Sequence, residues 1–169
     1  YYGVSDYVDS AGETITDTTT LSRLVAEERV DHLIKAIESY GHTGRRRGLI
    51  FCSRNEEAGE LSERLNLASL RGHRLRTRAL SGQTSIQARE SAIRDLEDGK
   101  LDYLITVDIF NEGIDIPSVD EVIMLRQTQS SVIFTQQLGR GLRKAPGKDH
   151  LRVIDFIGNY KNNYLIPIA

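Results

Sequence analysis

Hydrophobic positions along this chain change between helical and strand-like spacing, and the changes mark its elements. Over residues 24–40, Val30, Leu33, Ile34 and Ile37 recur at helical spacing and predict an amphipathic helix. Gly48-Leu49-Ile50-Phe51-Cys52 is a short apolar run of the kind a buried strand shows. After Ser53-Arg54-Asn55 a second helix is predicted from about Glu56, with Ala58, Leu61, Leu65 and Ala68 on one face. Asn55 or Ser53 is expected to cap it, and Glu56 and Glu57 suit the positive end of its dipole. A more polar strand is predicted over 75–80, then a loop over 81–84. The helix that follows ends near Leu96, with Ile86, Ile93 and Leu96 toward the inside. Further strands are predicted over 103–107, 121–125 and 151–156, with a helix from about Ser130 between the last two. Strands separated by helices of roughly 10–15 residues predict a parallel sheet covered on both faces, a three-layer α/β domain.

Residues 1–20 are rich in Tyr, Asp, Ser and Thr and lack helical periodicity. They predict an irregular lead-in from a preceding domain over 1–23, with the domain proper spanning 24–169. A chain of 169 residues suits a single domain that buries about two-thirds of its unfolded surface. No run approaches the ~20 apolar residues of a membrane-spanning helix, and no signal-peptide pattern opens the chain. With Cys52 as the single cysteine, an internal disulfide is excluded, and a reducing, cytoplasmic setting is expected. Met124 is the only methionine, so the chain is expected to be a piece of something longer. The net charge of −2 means that any nucleic-acid contact must come from a local patch. The runs Arg45-Arg46-Arg47 and Arg71, Arg74, Arg76, Arg78 read as solvated loop and strand charges. His32, His42, His73 and His150 are scattered without metal-ligand spacing, and no metal site is expected.

Two runs carry candidate chemistry. In Leu104-Ile105-Thr106-Val107-Asp108-Ile109-Phe110-Asn111-Glu112-Gly113-Ile114-Asp115-Ile116-Pro117, a buried strand opens into a polar, glycine-containing loop. The C-terminal ends of strands are where open α/β sheets place their ligands. In Gln136-Gln137-Leu138-Gly139-Arg140-Gly141-Leu142-Arg143, two arginines three residues apart project from one helix face. A fixed pair of guanidinium groups suits a phosphoryl group that gains charge during transfer. Asp120-Glu121-Val122-Ile123 imitates a Mg²⁺-holding acidic box, but its carboxylates precede the strand where a real one follows it. Gly139-Arg140-Gly141 lacks both the preceding strand and the third glycine of a dinucleotide fingerprint. No Gly-x-x-x-x-Gly-Lys-Ser/Thr occurs, so nothing in the chain cradles a β-phosphate.

The first run resembles motif V and the second motif VI of superfamily 2 helicases. The Gln/His-x-x-Gly-Arg-x-x-Arg pattern of motif VI is matched by Gln136, Gly139, Arg140 and Arg143. Residues 49–54 resemble motif IV, and Ser81-Gly82 with Gln87 and Arg89 resembles the next conserved segment. Tyr2-Gly3-Val4-Ser5-Asp6 and Asp155-Phe156-Ile157-Gly158-Asn159 resemble a bacterial branch of DNA helicases related to restriction and repair enzymes. The resemblance implies a C-terminal RecA-like domain, with ATP and its Mg²⁺ bound on an absent N-terminal RecA-like domain of the same polypeptide. By that resemblance Arg143 is an arginine finger and Arg140 a γ-phosphate contact, with Gln136 and Gly139 completing the motif. Gly113 permits close approach and Asp115 bonds the ribose hydroxyls. Ser53, Arg54, Gly82, Gln83 and Thr106 are expected to touch nucleic-acid phosphates without regard to sequence.

The implied activity is that of an ATP-dependent DNA helicase or translocase, with this chain inactive by itself. DEAD-box RNA helicases resemble it less. They have His-Arg where this chain has Gln136-Gln137, and an arginine where it has Glu112. Two other readings are weighed: a non-catalytic nucleic-acid-binding or scaffolding domain that keeps the helicase fold, and a nucleotide-sugar or dinucleotide enzyme. Intact Gly113, Asp115, Arg140 and Arg143 argue against the first, and the missing glycine fingerprint against the second.

Overall fold

A computed structural model describes residues 1–8, 19–41, 44, 46–107, 118–126, 128–140 and 150–157. In chain order the elements are β1 (Tyr2–Ser5), α1 (Leu21–Leu24), α2 (Glu27–Tyr40), β2 (Gly48–Phe51) and α3 (Asn55–Asn66). Then come β3 (Ser69–Leu70), β4 (His73–Arg74), β5 (Thr77–Ala79), α4 (Ile86–Glu97) and β6 (Tyr103–Thr106). The last are β7 (Glu121–Met124), α5 (Gln129–Arg140) and β8 (Arg152–Ile157). Six strands form one sheet in the order β1-β8-β7-β2-β6-β5, and every neighbouring pair is parallel. β3 and β4 form a separate antiparallel hairpin.

The central strands β2, β6 and β7 are buried at every residue, which requires cover on both faces. Alternation along each strand divides the core in two. Ile50, Tyr103, Ile105 and Ile123 pack with Leu33 and Ile37 of α2 and with Leu61 and Leu65 of α3. Leu49, Phe51, Leu104, Val122 and Met124 pack with Ala92 and Leu96 of α4 and with Phe134 and Leu138 of α5. The three-layer arrangement is the one that short apolar runs separated by amphipathic helices predict.

A glycine sets the centre of this sheet. Gly48 stands in register with Tyr103 on one side and Glu121 on the other. With no side chain between them, the Tyr103 ring lies over Gly48 and its hydroxyl donates to the buried Glu121 carboxylate. Burial, with the negative charge of Glu121 second, holds the phenol pKa well above its usual range, so the proton stays on Tyr103. A Cβ at Gly48 would stand 2.3 Å from ring carbons of Tyr103. Gly48→Ala is therefore expected to displace the ring and cost about 2 kcal/mol, the scale of overpacking a filled core. Urea unfolding measures it, and a midpoint equal to that of the unaltered protein would refute the account.

Several expectations need correction. Within the expected irregular lead-in over 1–23, Tyr2–Ser5 is an edge strand, paired in parallel with β8, and Leu21–Leu24 is helical. The strand expected over 75–80 is confined to Thr77–Ala79, because residues 73–74 turn back to pair with β3. Ile86 is 72% exposed, since as the first residue of α4 it precedes the turns that meet the sheet. Leu96 and the partly buried Ile93 make that contact as expected, joined by Ala92. Neither Asn55 nor Ser53 caps α3. The N-cap position is Arg54, and no side chain there accepts a bond.

Candidate nucleic-acid interface and nucleotide site

β2, β6 and β5 lie side by side and point the same way, so the residues that follow them share one sheet edge. Ser53 and Arg54 follow β2, Gly82 and Gln83 follow β5, and Thr106 closes β6. The structure thus brings all five expected phosphate contacts to a single edge.

The first loop is held by a buried carboxylate. Glu57, the third residue of α3, reaches back so that its Oε1 accepts from the Ser53 N–H at 2.7 Å and from the Ser53 hydroxyl at 2.9 Å. This is the reach of a capping-box glutamate, extended one residue beyond the cap. Its Oε2 accepts from Arg29 of α2 at 2.8 Å. Arg29 in turn makes a bidentate pair with Asp6, at 3.2 Å from Nε and 2.8 Å from Nη2, and donates to the Leu24 carbonyl at 3.0 Å. Asp6, Arg29 and Glu57 are all buried. The segment after β1, helix α2 and the Ser53 loop are therefore tied by one charge-assisted network. Arg54 donates to the Thr19 carbonyl, so the residues before α1 are drawn to the same loop.

Cys52 lies under this loop. Its thiol donates to the Arg54 carbonyl at 3.4 Å. Burial raises its pKa well above the ordinary thiol range, and the charge of Glu57 pushes the same way. The thiol is protonated and structural, consistent with its expected place in the core. The second loop is closed by its own side chains: Thr84 Oγ1 accepts from Ser81 N–H at 2.9 Å, and Arg89 donates to the Gly82 carbonyl at 3.2 Å. Gly82 and Gln83 remain exposed. Thr106 differs. Its side chain is fully buried, and its hydroxyl has no hydrogen-bond partner among the described residues.

The helicase conserved C-terminal domain model matches residues 28–145. The chain belongs to that family. It is the C-terminal, RecA-like domain of a superfamily 2 helicase. It is 36% identical over 84 residues to a putative ATP-dependent helicase IRC3 of Saccharomyces cerevisiae, a match covering 50% of the chain and 12% of that protein. It is 28% identical over 127 residues to the EcoKI type I restriction endonuclease subunit of Escherichia coli, covering 70% of the chain and 11% of that protein. The crystal structure of the E. coli DEAD-box protein SrmB bound to regulator of ribonuclease activity A has the same fold. Its TM-score is 0.59 at 21% identity, covering 85% of this chain and 75% of that one. The chain thus spans about an eighth of the curated relatives named here.

In this helicase domain, α5 carries the first part of the motif VI run, Gln136–Arg140. Its first turn is fixed by reciprocal bonds: the Thr128 N–H donates to Ser131 Oγ at 2.9 Å and the Ser131 N–H to Thr128 Oγ1 at 3.1 Å. Phe134 and Leu138 anchor it in the core, leaving Gln136 half-buried on another side. Gly139 and Arg140 end the helix backbone. Gly113, Asp115 and Arg143 lie outside the described residues. The acidic pair that imitates a Mg²⁺ box has structural work: Asp120 accepts from the Arg47 N–H at 3.1 Å, and Glu121 holds Tyr103. Among the described residues no group of His, Cys, Asp or Glu is arranged to hold a metal ion, and no helix is long and apolar enough to cross a membrane. Reading the residues alone missed Asp6, Arg29 and the buried role of Glu57. The one local signal was an acidic residue at the third position of α3, and it pointed to the helix dipole.

Proposed function

We propose that this domain is the second motor half of an ATP-dependent DNA helicase or translocase, and that it includes the β1 strand ahead of the boundary expected near residue 24. ATP with Mg²⁺ binds on an N-terminal RecA-like domain of the same polypeptide and supplies the phosphoryl group whose transfer to water drives the cycle. Arg143 meets that phosphoryl group as an arginine finger, Arg140 contacts the γ-phosphate, and Gln136 and Gly139 shape the motif that presents them. Gly113 and Asp115 receive the ribose. Of these residues, the described geometry bears only on Gln136, whose half-exposed amide on an anchored helix is compatible with a cleft contact. Ser53, Arg54, Gly82 and Gln83 grip phosphates of one strand, and alternating grip moves it. Thr106 joins them when its hydroxyl is uncovered, which gives its unsatisfied donor a partner. DNA is favoured over RNA by Gln136-Gln137 and Glu112, which depart from the DEAD-box pattern.

The observation that carries this reading is the convergence of the Ser53-Arg54 and Gly82-Gln83 loops on one edge, the first braced by buried Glu57. Braced hydroxyl, amide and guanidinium donors at a sheet edge suit backbone phosphates and carry no base code. Two measurements test it. The purified chain alone is expected to turn over no ATP above background. In the complete protein, Arg54→Ala is expected to weaken single-strand binding several-fold, with a salt slope shallower by about 0.7. Turnover by this chain alone would overturn the half-site, and unchanged DNA affinity across salt would overturn the track.

A further inference from the structure

At the opposite edge of the sheet the chain builds a second basic feature. Arg76, Asp102 and Arg46 stand just before β5, β6 and β2, so they mark the strands' N-terminal ends. With Arg71, His73 and Arg74 of the β3–β4 hairpin they line a cleft of about 400 Å³. A four-residue strand spans about 13 Å, which separates this cleft from the Ser53 and Gly82 loops. The arginines that read along the chain as separate solvated charges are gathered here around one concavity.

Their pairing is uneven. Arg76 is bonded to Asp102 at 3.3 Å. Arg71 and Arg74 donate only to carbonyl oxygens, of Glu38 at 2.6 Å and of Asn66 at 2.8 Å. Neither has a carboxylate partner among the described residues, so both keep their full charge and further donors at the rim. The backbone adds a second observation. Arg71 has φ +51° and Gly72 φ +81°, the turn of a two-residue hairpin in which both central residues are left-handed. Asn, Asp or Gly is the usual choice at the first of these positions. An arginine placed there against local preference puts a guanidinium at the mouth of the cleft.

We propose that this cleft binds a backbone phosphate of a nucleic-acid strand, at a site separate from the motif edge. Guanidinium forks match phosphate oxygens. An acidic protein segment fits less well, because a docked peptide needs an apolar anchor. Leu70 and Leu75, the apolar residues of the lining, are each only 2% exposed. Among the described residues the lining holds no Phe, Tyr or Trp, and His73 is its one ring, so guanidinium charge rather than a stacking platform dominates the cleft. A strand leaving the motif track thus meets a second cation site.

The test uses the full-length protein and a labelled single-stranded DNA of mixed sequence, followed by anisotropy from about 50 to 200 mM salt. Arg71→Gly with Arg74→Gln removes both charges, and glycine suits the left-handed turn, so the melting temperature should hold or rise. Affinity is expected to fall about tenfold at the low-salt end, and the slope of log K against log salt to become shallower by about 1.4. The loss should add to that of Arg54→Ala, because the two sites share no contact. Arg71→Lys with Arg74→Lys should keep most of the slope. Equal affinity and slope in the Gly/Gln variant would overturn the proposal. So would two further results: competition by polyglutamate but not by unlabelled DNA, which assigns the cleft to acidic protein, or binding of inorganic phosphate that the variant abolishes while strand affinity stays unchanged.

Discussion

Arg143→Lys in the complete protein is expected to lower ATP turnover by roughly 10³-fold or more, the scale on which arginine fingers act. Lysine keeps the positive charge and loses the planar fork, so charge alone does not rescue the step. The effect belongs to the transition state: an arginine that meets the γ-phosphate only in the closed cleft leaves substrate binding less affected than turnover. Stability and nucleotide-free DNA affinity should stay close to those of the unaltered protein. Near-normal turnover would refute the assignment. Lost turnover together with a large drop in melting temperature would identify Arg143 as a structural residue.

Arg29→Met carries the largest expected cost in stability. Methionine fills much of the volume of the arginine stem but leaves Asp6 and Glu57 buried as facing carboxylates with their shared cation removed. Breaking a buried ion pair from one side costs about 3–5 kcal/mol, which for a domain of this size is a fall of roughly 10 °C in melting temperature. Adding Glu57→Gln should recover part of the loss, since it removes one of the stranded charges and keeps an acceptor for Ser53. A loss under about 1 kcal/mol for Arg29→Met would show the network to be energetically idle. Because Glu57 also fixes the Ser53 loop, the same variant should blunt DNA-stimulated turnover at temperatures where it is still folded.

This network explains why the first residues of the chain look unstructured and are not. Tyr2–Ser5 has too short a pattern to announce a strand, and its partner is β8, some 150 residues away. Asp6, Arg29 and Glu57 are ordinary surface residue types, and their separations of 23 and 28 positions match no local period. Ile86 shows the same limit in reverse: helical spacing marks a face, and the sheet's extent decides which turns of that face are covered. That Ser53, Arg54, Gly82, Gln83 and Thr106 stand at one edge follows from their places at or just after strand ends, because parallel strands bring such positions together.

By itself the sequence determined the α/β class, the order of helices and buried strands, and the family, because periodicity and motifs are written in neighbouring residues. Only the tertiary structure decided which charges are buried, that Gly48 opens a slot for Tyr103 to reach Glu121, and that arginines from separate loops share a cleft. The physical reason is common to all three. The cost of burying a charge, the space beside a glycine and the field of a cationic cluster depend on groups brought together by folding, and spacing along the chain does not encode them.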